Sequence, residues 1–122
     1  MRCGGMVMRI LCVDDDKLVL GLTAELLRSM GHDVIEARSG RAAAEALSLP
    51  ELLDLMITDI HMPGGLGGIE LAAYAKQVRP ELRIVYFSGS VLDIPPDIGG
   101  TLLRKPCTLR ELQRVVGGCG VG

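Results

Sequence analysis

Aromatic side chains are almost missing from this chain of 122 residues, which has two tyrosines, one phenylalanine and no tryptophan. Tyr74, Tyr86 and Phe87 are the whole set, so the core must be aliphatic and no platform exists for stacking single-stranded bases. A surplus of positive charge is lacking too. Thirteen Lys and Arg stand against fifteen Asp and Glu, for a net charge of −2, which gives no electrostatic basis for holding nucleic acid or an anionic membrane. No apolar run approaches the length needed to cross a bilayer, and the first residues do not have the pattern of a signal peptide. The four cysteines, Cys3, Cys12, Cys107 and Cys119, form no CxxC or CxxH pair. With only two isolated histidines, His32 and His61, the usual zinc ligand clusters are absent as well. These absences point to a cytoplasmic protein with free thiols. The length suits one domain with a real core.

What is present alternates between apolar runs and helical periodicity. Residues 1–8 read as a leader, 9–116 as the folded domain and 117–122 as a glycine-rich tail. A strand is expected over Arg9–Val13, then a helix over Lys17–Met30 with Leu18, Leu22 and Leu26 on one face and Val19, Leu27 and Met30 beside them, stopped by Gly31. Asp33–Ala37 reads as a second strand, and Ser39 caps an Ala-rich helix running to about Leu49. A third strand is expected over Leu53–Thr58, running straight into Asp59, and a glycine-rich loop follows. A helix over Gly68–Arg79 offers Ile69, Ala72, Ala73 and Ala75 for packing. Strands over Arg83–Phe87 and Leu102–Arg104 precede a last helix opened by the capping box Thr108-Leu109-Arg110-Glu111. Such alternation argues for a doubly wound α/β fold, a five-stranded parallel sheet with helices on both faces. One stretch breaks the rhythm: between Ser90 and Thr101, Pro95-Pro96 and Gly99-Gly100 leave little room for a crossover helix, so the fourth helix is expected to be shortened or missing.

Three aspartates, Asp14-Asp15-Asp16, directly follow the apolar run Ile10–Val13. In an open parallel sheet the crevice at the carboxyl ends of the strands is the ligand site. Massed carboxylates there repel one another unless a cation intervenes, and Mg²⁺ takes such oxygens together with phosphate. Capping a helix is the plainer use of Asp, and Asp16 is read in that way. The remaining strand ends deliver Asp59, Ser88 and Lys105 to the same edge. Carboxylates, a hydroxyl and an ammonium around one crevice make a site for Mg²⁺ and a phosphoryl group.

With those residues in view, the chain resembles the receiver domain of two-component response regulators, a CheY-like, flavodoxin-like fold. The matching segments are ILCVDDD (Ile10–Asp16), LMITDIHMPG (Leu55–Gly64), IVYFSGS (Ile84–Ser90) and LLRKP (Leu102–Pro106). Asp59 lies 44 residues beyond Asp15, and Lys105 a further 46 beyond Asp59. The resemblance implies that Asp59 accepts a phosphoryl group from a sensor histidine kinase or a histidine phosphotransfer protein. It implies Asp15 as a direct Mg²⁺ ligand, Asp14 as a neighbour acting through water, and the backbone carbonyl of His61 as the third protein ligand. Ser88 would bond a phosphoryl oxygen in the switched state, Lys105 would pair with the acceptor Asp59 and then with the phosphate, and Pro106 would follow Lys105 through a cis peptide bond. The imidazole of His61 is left either facing the mouth of the site or in solvent.

This sequence also departs from the family pattern. Leu102 stands where many receivers carry an aromatic switch residue, Cys107 stands where phenylalanine is usual, and the acceptor loop is one residue longer than its commonest form. Two other functions are therefore carried beside the phospho-acceptor. One is a degenerate receiver that binds partners without phosphorylation; the other is a small aspartate-based phosphatase. The latter usually needs a second carboxylate two residues beyond the nucleophile, where this chain has His61. With no DNA-binding or enzymatic output segment in view, the expected protein is a stand-alone regulator or a piece of a longer hybrid one.

Overall fold

The computed structural model describes residues 7–62, 65–89, 101–105 and 109–117. Five parallel strands form one sheet: β1 (Arg9–Val13), β2 (Asp33–Ala37), β3 (Leu55–Asp59), β4 (Arg83–Ser88) and β5 (Thr101–Arg104). Four helices are described, α1 (Lys17–Ser29), α2 (Gly40–Leu47), α3 (Gly68–Val78) and α4 (Leu109–Gly117). The sheet order is β2-β1-β3-β4-β5. The chain therefore reverses direction across the sheet between β1 and β3, and in such folds the ligand crevice opens at that reversal. The stretch in which the fourth crossover helix was expected to be short or missing, the cis bond to Pro106, the Thr108 cap and Cys3, Cys107 and Cys119 all lie outside the described residues.

Two aliphatic layers sandwich the sheet, because alternate residues of each strand face opposite sides. Leu11, Val13, Met56 and Ile84 pack with Ala43 and Leu47 of α2 and Leu71, Ala72 and Ala75 of α3. On the other face Ile10, Cys12, Ile57, Val85 and Phe87 pack with Leu20 and Leu27 of α1 and Leu112 and Val116 of α4. Every residue of β3 is buried, as expected of a central strand covered on both faces. Burial, reinforced by Asp14, pushes the Cys12 thiol up to about 12, so it is an inert core residue.

Helix boundaries follow the expected chemistry. The Asp16 carboxylate accepts from the backbone N–H groups of Leu18 and Val19, and Ser39 Oγ accepts from Ala42 N. Gly31 takes φ +94°, the left-handed turn that ends α1. Several boundaries move by a residue or two: α1 gives Met30 up to its C-cap, α2 ends at Leu47, α3 ends at Val78, β3 starts at Leu55 and takes in Asp59, β4 takes in Ser88, β5 starts at Thr101, and α4 reaches Gly117.

The faces of two helices differ from expectation. In α1 the buried stripe is Leu20, Thr23, Ala24 and Leu27, while Leu18 and Leu22 are 77% and 68% exposed. Lys17, Glu25, Arg28 and Ser29 share one side of the helix. Leu18 falls on that polar side and Leu22 at its border, so both stay exposed, while Leu20, Ala24 and Leu27, spaced i, i+4, i+7, face the sheet. In α3 Leu71 takes the buried place expected of Ala73, which is exposed. Among the described residues, no helix is long and apolar enough to cross a membrane.

Candidate phosphoryl and metal site

The carboxyl ends of β1, β3, β4 and β5 bring five of the expected side chains to one edge. Asp14 is almost fully buried, and its backbone N–H donates to Ala37 O on β2 at 3.1 Å. Its Oδ1 accepts from Asp16 N at 2.9 Å and its Oδ2 from Lys105 Nζ at 3.0 Å. Asp15, the next residue, is exposed. Asp59 ends β3 with 8% exposure, and its Oδ2 lies 3.2 Å from the same Lys105 Nζ. One ammonium thus bridges two buried carboxylates, and the geometry is fixed at its other end by the Lys105 N–H donating to Ser88 O at 2.8 Å. Ser88 is 1% exposed at the end of β4, one residue past Phe87, which sits beside Asp59 in the β3–β4 register.

Charge is unbalanced in this cluster. Burial holds the Asp59 carboxyl above its ordinary range; Lys105 opposes the rise and Asp14 adds to it. Burial alone would lower the Lys105 ammonium, but Asp14 and Asp59 outweigh it and hold the group above the usual lysine value. Burial raises Asp59 by more than the Lys105 ammonium, which also meets Asp14, offsets, and the two carboxylates together hold that ammonium charged.

Asp14, Asp15 and Asp59 each present a carboxylate oxygen, and these oxygens lie within 4.8 Å of one another. Anionic oxygen donors at that spacing fit Mg²⁺, which needs one or two carboxylates and keeps room for water or phosphate. His61 follows in the exposed loop after β3, and its backbone N–H hydrogen-bonds Asp59 and opposes the rise of that carboxyl. Asp16 stays at the head of α1 as its cap.

Two further features shape the site without having been visible in the sequence. Gly68, the first residue of α3, donates its N–H to Ile60 O at 2.9 Å and packs so closely that a Cβ there would lie 2.0 Å from the Asp59 carbonyl oxygen. Phe87 places its ring centroid 5.3 Å from Lys105 Nζ. An apolar residue inside a strand reads only as core, so nothing in the pattern distinguished Phe87.

A doubly wound sheet with an acidic pocket at its reversal defines the class, and similarity to known proteins defines the family. The response regulator receiver domain model matches residues 10–94. Over 109 residues the chain is 34% identical to the response regulator receiver protein CpdR of Brucella abortus, covering 85% of this chain and 89% of that one. It is 43% identical over 120 residues to the sensor protein GacS of Pseudomonas syringae pv. syringae, 88% of this chain but only 13% of GacS. The crystal structure of a response regulator receiver domain protein from Clostridium thermocellum superposes with a TM-score of 0.84 at 25% identity, over 93% and 94% of the two chains. This chain belongs to the response regulator receiver family, the signalling domains of two-component systems. Receiver domains bind Mg²⁺ at an acidic pocket, and this chain carries a cluster of three aspartates at the carboxyl edge of its sheet.

Proposed function

We propose that Asp59 is the phosphoryl acceptor and that residues 9–116 form the switch, with 1–8 as leader and 117–122 as tail. The observation that carries this reading is the single Lys105 ammonium held 3.0 Å from Asp14 and 3.2 Å from Asp59, with Ser88 buried beside it. A phosphohistidine of a sensor kinase or phosphotransfer protein is the donor. An Asp59 oxygen bonds to phosphorus while the N–P bond breaks, and the departing imidazole nitrogen recovers a proton from solvent. Asp15, Asp59 and the His61 carbonyl would hold Mg²⁺, with Asp14 reaching it through water; when bound, the ion offsets the charge of both reactants.

The chain's own groups do the rest. Lys105 supplies a positive charge where the phosphoryl oxygens arrive, and Ser88 supplies a hydroxyl beside them. The new acyl phosphate draws both groups toward its oxygens, and that movement biases the surrounding loops toward the signalling state. The donor must cover the rim of the site. Leu18 and Leu22 of α1 and Leu109 of α4 are exposed apolar residues, and α1 and α4 start directly after the site loops, so a helical donor fits there. A domain fed by phosphohistidine and carrying the free Cys12 thiol suits the cytoplasm.

On this reading the protein catalyses only its own phosphorylation and dephosphorylation. Incubation with acetyl phosphate followed by ³¹P NMR tests it. Mg²⁺-dependent consumption of acetyl phosphate with no hydrolysis of p-nitrophenyl phosphate is expected, whereas turnover of the nitrophenyl ester would make the protein a phosphatase acting in trans.

A further inference from the structure

We propose that Phe87 is a positioning residue for phosphoryl transfer, its ring forming the shelf that holds the Lys105 ammonium between Asp14 and Asp59. The inference rests on the reading of Asp59 as acceptor and extends it to a residue that meets neither the metal nor the phosphoryl group.

A lysine side chain has four rotatable bonds, and two carboxylates alone do not fix where its ammonium sits. Here the ammonium is surrounded from three strands. Asp14 follows β1 and Asp59 ends β3, with carboxylate oxygens 3.0 Å and 3.2 Å from Lys105 Nζ, and Phe87 lies on β4 with its ring centroid 5.3 Å from the same nitrogen. A ring centroid within about 6 Å of an ammonium is in the range of cation–π attraction. The three partners differ in one respect. Phosphorylation converts Asp59 into an acyl phosphate and changes its contact with Lys105, while the ring keeps its place.

Phe87 can act as that constant partner because the core sets its position. It is 6% exposed and packs in the layer containing Val85, Leu103 and Leu112. Tyr86 and Tyr74 belong to the opposite layer, so Phe87 is the single aromatic ring on the face that meets Lys105. On β5 the residue beside Phe87 is Leu103, which packs in the same layer and is not aromatic. The ring also borders an apolar cavity of about 490 Å³ lined by Val19, Leu22, Leu26 and Leu112, which gives a tyrosine hydroxyl room at this position.

A double-mutant cycle on the full chain tests the assignment, with phosphoryl uptake from acetyl phosphate followed by intact mass at saturating Mg²⁺. Phe87→Leu should slow the maximal uptake about 3- to 30-fold, the span of a cation–π contact, while Phe87→Tyr keeps the wild-type rate. In a Lys105→Met background, Phe87→Leu should change the rate by less than about 2-fold. In NMR spectra the Lys105 Hε resonances, moved upfield by the ring in the wild type, should return to ordinary values in Phe87→Leu. Urea unfolding identifies which variants are folded, and Phe87→Met, apolar and without a ring, takes the place of Phe87→Leu if that variant does not fold. An equal loss in both backgrounds, no loss in the folded variant, or no upfield shift in the wild type would overturn the inference alone. Absence of any adduct on the wild type would overturn the acceptor reading and this inference together.

Discussion

One added methyl group should separate acceptor geometry from general stability. Gly68 opens α3 directly against the end of β3. A Cβ built there would stand 2.0 Å from the Asp59 carbonyl oxygen, 2.8 Å from Ile60 Cα and 2.9 Å from the Asp59 carbonyl carbon. Favourable carbon contacts lie at roughly 3.5–4.0 Å, so the gap must open by more than about 1 Å. All three atoms are backbone, and no rotamer change can relieve them. Overpacking of this kind costs about 1–3 kcal/mol, and a 1 Å misplacement of a reacting group can cost about 100-fold in rate. Gly21 provides the control. It lies inside α1 with nothing within 4 Å of its Cβ position, so Gly21→Ala should gain about 0.5–1 kcal/mol from helix preference. Both variants would be measured by urea unfolding and by the rate of phosphoryl uptake from acetyl phosphate with Mg²⁺. Gly68→Ala should remain folded, lose stability and take up phosphate on the order of 100-fold more slowly. Gly21→Ala should gain stability at an unchanged rate. A folded Gly68→Ala with wild-type uptake would refute the claim that this contact sets the acceptor.

Other consequences follow from the same geometry. Mg²⁺ at about 100 times its dissociation constant should stabilise the fold by about 2.7 kcal/mol, and thermal melts of Asp15→Asn should show that shift lost. Asp16→Ala should cost about 1 kcal/mol through the lost cap on α1, yet leave the Mg²⁺ shift in the melt intact, because its carboxylate is committed to Leu18 and Val19 N–H groups. Burial raises the Asp59 carboxyl in the folded state, so its ionised form weakens folding above the folded-state value, and the penalty disappears below the unfolded one. In EDTA, Asp59→Asn should therefore have the higher urea midpoint at neutral pH, with the gap closing on acidification through the carboxylate range. Leu18→Ser with Leu22→Ser should slow transfer from a phosphohistidine donor domain while acetyl phosphate uptake stays at the wild-type rate.

Much of the fold was legible because local chemistry and global topology agree. Apolar runs ending in Asp14, Asp59 and Ser88 mark strands and their functional ends together, and Asp16, Ser39 and Gly31 mark helix limits through caps and a left-handed turn. The buried stripe of α1 is misplaced by the spacing of Leu18, Leu22 and Leu26, although Lys17, Glu25, Arg28 and Ser29 mark the side of Leu18 and Leu22 as polar. The reach of β3 to Asp59 was hidden for another reason: a charged residue ends an apolar pattern, although the β4 partner Phe87 keeps it in the ladder. In the site, residue identities could be read, and the family resemblance implied that Lys105 pairs with Asp59, but its contacts with Asp14 and Phe87 were not visible. That one lysine bridges Asp14 and Asp59, over the ring of Phe87, depends on β1, β3, β4 and β5 meeting at one edge, which spacing along the chain does not encode. Arg83 is similar, its guanidinium reaching the carbonyls of Val115 and Val116 at the end of α4.

The central claim is a covalent event at one side chain, and intact-protein mass spectrometry reads it directly. Wild type and Asp59→Asn would be incubated side by side with acetyl phosphate and Mg²⁺, then quenched in acid at successive times. A single phosphoryl adduct on the wild type, absent from the variant and from a sample in EDTA, is the predicted result. A folded, Mg²⁺-loaded wild type with no adduct at any time, or an equal adduct on Asp59→Asn, would contradict the account.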